Sequence, residues 1–258
     1  MSQTQPPSPF VRGFRIALEG MKLALRSEDV SRIYLRAAAV IFGLSLVIDA
    51  GLIGGLFWLT SPAEDAALWL LVAVWIARVI GTLAALLVGP LLAIFTVNIA
   101  FPFFNQGVFL AGLRLVDPER AAALEAKPGM PFAPAAGLAA WRLIKFVVLS
   151  AGLFVLGLIP VVGSLVAAAL QLWLTARTVS WELMDPYFDS LDIRDAEQRE
   201  IVGRLQKPLL GFGVPVALLL AIPFVGPLCF GLAQAAAGTF VGREFPIHPR
   251  ETTTPAQA

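Results

Sequence analysis

Two charges interrupt the apolar stretches of this chain. Asp49 is alone among the 23 residues Ala37–Leu59, and Arg78 is alone in the run from Ala66 to Gly89. A lone charge at the centre of a bilayer costs at least about 2.5–3.5 kcal/mol, so such residues pair or face a wet cavity. Asp49 stands 12 residues before a turn that begins at Ser61, and Arg78 stands 13 residues after its end at Asp65. On antiparallel helices rising 1.5 Å per residue, both lie about 18–20 Å from the same end. The spacing predicts an intramembrane Asp49–Arg78 charge pair. It reads either as an interhelical clamp or as a relay lining an ion path.

A second pattern repeats. Ile159-Pro160-Val161-Val162-Gly163-Ser164-Leu165 returns 63 residues later as Ile222-Pro223-Phe224-Val225-Gly226-Pro227-Leu228. Each turn is flanked by apolar segments of 13–15 residues, which as helix cover about 20–22 Å against a hydrocarbon core of about 30 Å. That length favours two re-entrant hairpins over two pairs of full spans. Each turn opens a half-helix near Gly163 and Ser164 or near Gly226, whose free N–H groups and positive dipole end suit an anion. The competing reading is a purely structural turn. Gln171 and Gln234 share the 63-residue offset, which points to matched hydrogen bonds between helices.

Other chemistry is excluded by what is missing. One cysteine, Cys229, permits no intrachain disulfide, and one histidine, His248, builds neither a metal site nor a catalytic triad. Walker A, His-Glu-x-x-His and Gly-x-Ser-x-Gly motifs are absent, and Gly211-Phe212-Gly213 lacks the third glycine of a dinucleotide loop. We expect no enzyme activity and no cofactor. Nineteen basic against eighteen acidic residues leave no net charge to drive nucleic-acid binding.

Composition supplies the class. Hydrophobic residues make up 58% of 258 and charged residues 14%, with a mean hydropathy of +0.79. An average soluble domain carries about 25% charge. The chain therefore reads as an all-α integral membrane protein in one domain, residues 1–245. An amphipathic helix over 9–26 puts Arg12, Arg15, Glu19, Lys22 and Arg26 on one face and Phe10, Phe14, Leu18 and Leu25 on another. It either lies in the membrane interface or packs on the protein's own surface. Two long membrane helices follow over 33–59 and 66–104, with a kink or break expected at Gly89-Pro90. The hairpins occupy 143–176 and 208–242, and the Pro/Thr/Gln-rich tail 246–258 reads as disordered. Segments 1–36, 105–142 and 177–207 hold six, four and five basic residues, and the 60–65 turn holds none. The positive-inside rule then puts both termini in the cytoplasm, with Trp58, Trp69, Trp141 and Trp181 as interfacial anchors.

The order of several short motifs resembles one family. Gly13-Phe14 with Gly20-Met21-Lys22-Leu23, Asn98-Ile99-Ala100-Phe101-Pro102-Phe103, Leu158-Ile159-Pro160-Val161-Val162-Gly163, Asp185-Pro186-Tyr187-Phe188-Asp189, Gly211-Phe212-Gly213 and Ile222-Pro223 together are similar to the CysZ sulfate-permease family, which shares its domain with the etoposide-induced 2.4 proteins. The resemblance covers roughly residues 9–245. It implies a bacterial inner-membrane protein with hemi-penetrating hairpins, a homo-oligomer, that takes up inorganic sulfate for assimilation.

The resemblance also implies an anion site. Sulfate-carrying members have a Gly-Leu-Arg-Arg-like motif at the start of the first membrane helix, and the matching stretch here is Asp29-Val30-Ser31-Arg32. Ser31, Arg32 and Arg36, one turn on, are the carried-over candidates. Glu28 and Asp29 depart from the pattern. A like charge at 4 Å repels by about 1 kcal/mol in water and about 4 at an effective dielectric of 20. That leaves a second expectation beside transport: a non-transporting scaffold that keeps the fold and binds a partner.

Overall fold

The computed structural model describes residues 7–62, 67–100, 102–159, 161–222 and 225–252. Among them the chain is helical throughout, without strands. The helices are α1 (Pro9–Arg26), α2 (Glu28–Leu59), α3 (Leu68–Ala100), α4 (Pro102–Arg114), α5 (Pro118–Glu125), α6 (Phe132–Gly157), α7 (Val162–Leu183), α8 (Asp185–Ser190), α9 (Asp195–Arg204), α10 (Gln206–Leu220), α11 (Val225–Glu244) and α12 (Pro249–Thr252). Three stretches are long and apolar enough to cross a membrane: α2, α6, and α7 continued into α8 as Val162–Ser190.

Local chemistry sets the boundaries. Ser8 accepts a hydrogen bond from Val11 N, with Pro9 at the first position of α1. Ser27 ends α1 and starts α2, its N–H donating to Leu23 O and its hydroxyl accepting from Val30 N. Asp117 caps α5 through Arg120 N, with Pro118 behind it.

Polar and apolar ends differ in packing. α1 lies against α10 and α11, α4 lies against α11, and α7 lies against α10. Here Phe109, Leu113, Leu183, Met184, Tyr187, Phe188, Phe212, Phe240 and Val241 form one sealed core. Toward the other end, α2 pairs with α3 and α6 with α7, and α6 buries no residue at all. Leu149, Phe154, Val155, Val161 and Val162 stand exposed there. An apolar surface of that extent is covered by lipid.

α1 has three faces, which unites the two readings of it. Gly13, Ile16, Ala17, Gly20 and Ala24 are buried against the bundle. Arg12 reaches Glu244 (2.8 Å) and Glu19 receives Arg243 (2.7 Å). Phe10, Phe14, Leu18 and Leu25 stay exposed. The helix packs on the protein's own surface and keeps an apolar stripe exposed.

Three boundaries differ from expectation. α3 runs unbroken through Gly89-Pro90. A proline inside a membrane helix removes one hydrogen bond, and neighbouring groups tolerate that loss. The 66–104 helix divides further on, where Pro102 opens α4; Phe101 lies outside the described residues. The tail is ordered through Thr252 by the packing of α12 on α5, and residues 253–258 lie outside the described residues. The membrane helices also extend past the apolar runs that define them: α6 begins at Phe132 rather than 143, and α7 ends at Leu183 rather than 176.

A Cβ on Gly13 would sit 1.9 Å from the Pro208 carbonyl oxygen, backbone that cannot swing aside. Gly13→Ala should therefore part α1 from α10 and cost about 1–3 kcal/mol, as overpacking does. Gly137→Ala on α6, with nothing within 4 Å, should leave thermal unfolding in detergent unchanged or raise it.

Candidate functional site

The α1–α2 corner holds the candidates carried by the α2 N-terminus. Ser31 does not face outward: its hydroxyl lies 3.3 Å from both Ala24 O and Leu25 O, so it satisfies the open carbonyls at the end of α1. Arg32 and Arg36 are exposed, one turn apart on one face, and among the described residues bear no hydrogen bond or ion pair. Glu28 precedes Arg32 by four residues, yet no salt bridge joins them. Lys22 and Arg26, at the end of α1, are equally unpaired. Among the described residues, four cations and two acids, Glu28 and Asp29, around the α1–α2 corner thus have no side-chain partner. Arg12 and Arg243 take no part, being bound to Glu244 and Glu19.

The hairpin tips tell a different story from the one their sequence suggests. Ser164 N donates to Ile159 O (3.2 Å), Leu165 N to Val161 O (3.2 Å) and Gly226 N to Ile222 O (2.8 Å). Ser164 Oγ donates to Val161 O (3.0 Å). These donors are used up inside the turns and are not open to an anion. The glycines serve closeness instead: a Cβ on Gly163 would lie 2.5 Å from Leu156 O, and one on Gly226 would lie 2.1 Å from Leu220 O. Val161 adopts φ 60°, ψ −72°, a left-handed turn geometry unfavourable to a β-branched residue. Pro160, Pro223 and Phe224 of these turns lie outside the described residues.

Asp49 and Arg78 do not pair. Arg78 donates to Thr60 Oγ1 (3.0 Å), Thr60 O (3.1 Å) and Phe57 O (3.2 Å), with its guanidinium 4.5 Å from the Phe57 ring centre. Asp49 is 6% exposed and lies against Gly89, where a Cβ would stand 1.7 Å from Oδ1. Leu56 meets Gly81 in the same way. The register therefore places Asp49 level with Gly89, eleven residues and about 16 Å along α3 from Arg78. The expected pairing assumed that both helices end level with the 61–65 turn. In fact α3 begins about 15–16 Å beyond the level at which α2 ends, so counting from the turn misplaces every partner. Residues 63–66, including Glu64 and Asp65, lie outside the described residues. Asn98 has no described side chain.

The glutamine pair behaves as matched interhelical donors. Gln171 Nε2 donates to Ser150 Oγ on α6 (3.0 Å), and Gln234 Nε2 to Leu183 O at the end of α7 (2.9 Å).

The most ordered polar chemistry lies at the polar end, and sequence reasoning gave it no role. Arg120 on α5 is enclosed by Glu251 on α12 (Nε to Oε2 2.7 Å, Nη2 to Oε1 2.8 Å), by Val241 O (3.1 Å) and by Phe245 O (2.9 Å). Tyr187 OH donates to Glu251 Oε1 (2.9 Å). Burial opposes the Arg120 charge, but the Glu251 hydrogen bonds and charge outweigh it and hold its pKa above the ordinary value. A second clamp joins hairpin to hairpin base: Arg142 on α6 grips Asp185 with two 2.7 Å bonds. The Asp185-Pro186-Tyr187-Phe188-Asp189 motif is thereby explained residue by residue. Asp185 takes Arg142, Tyr187 takes Glu251, Phe188 fills the core, and Asp189 O accepts from Met130 N (2.6 Å). The motif was the visible signal; reading the tail as disordered hid its partner.

Arg120→Ala leaves Glu251 buried without its counter-charge. It should cost about 3–5 kcal/mol and release the tail. Limited proteolysis near Pro246 and thermal unfolding in detergent will read both effects. Restoring apolar balance with Arg120→Met and Glu251→Leu together should recover most of the stability.

No curated protein matches the chain. The family model described as sulfate transporter CysZ/etoposide-induced protein 2.4 matches residues 11–230, from α1 through the first turns of α11. That span takes in the α1–α2 corner, both hairpin tips and the Asp185–Asp189 motif. The chain belongs to the CysZ/etoposide-induced 2.4 family of membrane proteins.

Proposed function

We propose that the protein passes sulfate, or a similar tetrahedral dianion, across a bacterial inner membrane to supply sulfate assimilation. The observation that carries this reading is the α1–α2 corner: among the described residues Lys22, Arg26, Arg32 and Arg36 are unpaired and outnumber Glu28 and Asp29. The unpaired cations answer the objection raised by the two acids, because the local charge remains positive. Arg32 and Arg36 bind the anion as it enters. Ser31, Gly163, Ser164 and Gly226 shape the corner and the tips and do not bind it directly.

In this reading the corner and the clamped polar end face the cytoplasm, by the basic-residue bias. The hairpins stop within the bilayer. The whole helices α6 and α7 are long enough to span, but their uncharged parts, residues 146–157 and 162–176, cover about 18 and 22 Å, short of a full crossing. The exposed apolar faces of α2 and α6 then serve contacts with lipid and with other copies in a homo-oligomer.

Uptake of radiolabelled sulfate into liposomes holding the purified protein tests the reading. Wild-type protein should give saturable uptake. The Arg32→Ala, Arg36→Ala double variant should lose at least tenfold, which is about 1.4 kcal/mol of binding. Arg199→Ala, at an exposed pair with Asp195, should leave flux unchanged. Folded wild-type protein without flux would favour the scaffold reading, with the acidic 182–200 stretch as its docking surface and Glu28 and Asp29 as the reason the anion is not held.

A further inference from the structure

Asp49 is a buried carboxylate without a protein counter-charge. Its Oδ1 is fully enclosed and accepts no hydrogen bond from the described residues. α2 packs against α1, α3, α4 and α11. The facing stretches 79–100 of α3, 102–113 of α4 and 225–242 of α11 contain no Lys, Arg, His, Asp or Glu. The titratable groups on these elements are distant. Tyr34 of α2 and Cys229 of α11 face one another about 22 Å away along α2. At the corner, Arg36 and Arg32 of α2 stand 13 and 17 residues, about 20 and 26 Å, from Asp49 along the helix. Arg78, the one basic residue of α3, is spent on Thr60 and Phe57. Ser45, one turn before Asp49 on the same face and also buried, adds a second oxygen to that side of α2.

A carboxylate kept in an apolar layer with no basic neighbour needs its charge balanced from outside the chain. Gly89 shows that the place is built: the α3 backbone approaches Oδ1 so closely that no side chain fits between them. The membrane potential opposes entry of a dianion into a negative interior, and a cation moving with it offsets that opposition.

We propose that Asp49 is a cation-coupling site, whose charge is balanced by a proton or a sodium ion taken from solution, and that this cation accompanies the anion through the membrane. The coupling half rests on the sulfate reading above; the site half does not. Dicyclohexylcarbodiimide, an apolar reagent for membrane-embedded carboxylic acids, separates the two. It is applied to the full-length protein in liposomes, and the modified residue is found by peptide mass spectrometry. Asp49 should be modified in acid buffer, and Asp49→Asn should lose that label. A tenfold fall in labelling on adding sodium at constant pH assigns the site to sodium. A fall only on raising the pH assigns it to the proton. No labelling of Asp49 under any condition, while another carboxyl of the chain is labelled, overturns the site. In the flux arm, sulfate accumulation driven by an acid or sodium gradient should fall at least tenfold in Asp49→Asn, downhill sulfate exchange should persist, and Asp49→Glu should recover part of the accumulation. Undiminished accumulation in Asp49→Asn overturns the coupling. Labelling of Asp49 in wild-type protein that carries no sulfate supports the cation site and removes only the sulfate reading.

Discussion

Backbone touching backbone is the constraint on which this architecture depends. Added Cβ atoms on Gly13, Gly112, Gly211, Gly213 and Gly238 would fall within 1.9–2.1 Å of carbonyl oxygens on Pro208, Ala235, Phe10, Ala176 and Phe109 respectively. In an apolar solvent, helices gain nothing by hiding apolar side chains from lipid, so association rests on close van der Waals approach and interhelical hydrogen bonds. The glycines tie α1 to α10, α4 to α11 and α7 to α10. Thr239 Oγ1 reaching Gly112 O and Gln234 reaching Leu183 O add the polar share. Remove that approach and the α1–α2 corner loses its place over the bundle.

Above this tight end the helices are loosely held. Only 17% of the most apolar window of α2 is buried, and none of that of α6. The contrast gives the molecule a rigid base and a lipid-facing crown. The arginine clamps belong to the base. Arg142 with Asp185 ties the first hairpin to α8, and Arg120 with Glu251 straps the C-terminal segment under α5. Buried ion pairs contribute little net stability over apolar replacements, so their effect here is register: they fix where each hairpin leaves the base.

Much of this was legible in the sequence. The membrane class, the all-helical chain and the family followed from composition, hydropathy and motif order. The glutamines followed from the repeat. What failed did so for identifiable reasons. The Asp49–Arg78 pair required the register of two helices, and register depends on how far α3 projects beyond α2, which no local signal encodes. The turn N–H groups looked free because sequence does not show the hydrogen bonds that Ile159, Val161 and Ile222 carbonyls accept. The tail looked disordered by composition, but one glutamate, Glu251, finds an arginine 131 residues away. Long-range partners of single charged residues are invisible to periodicity.

The embrace of α1 by α11 has a consequence for biogenesis. Arg12 and Glu244 are 232 residues apart. At a synthesis rate of 5–20 residues per second, the first helix waits about 10–50 s for the residues that complete its binding face. During that interval its glycine face has no partner, and only the stripe of Phe10, Phe14, Leu18 and Leu25 can hold it, flat on the bilayer surface. The same apolar residues that remain exposed in the finished protein thus act as a parking brake on the nascent chain, keeping its first helix near the insertion site until the last one arrives.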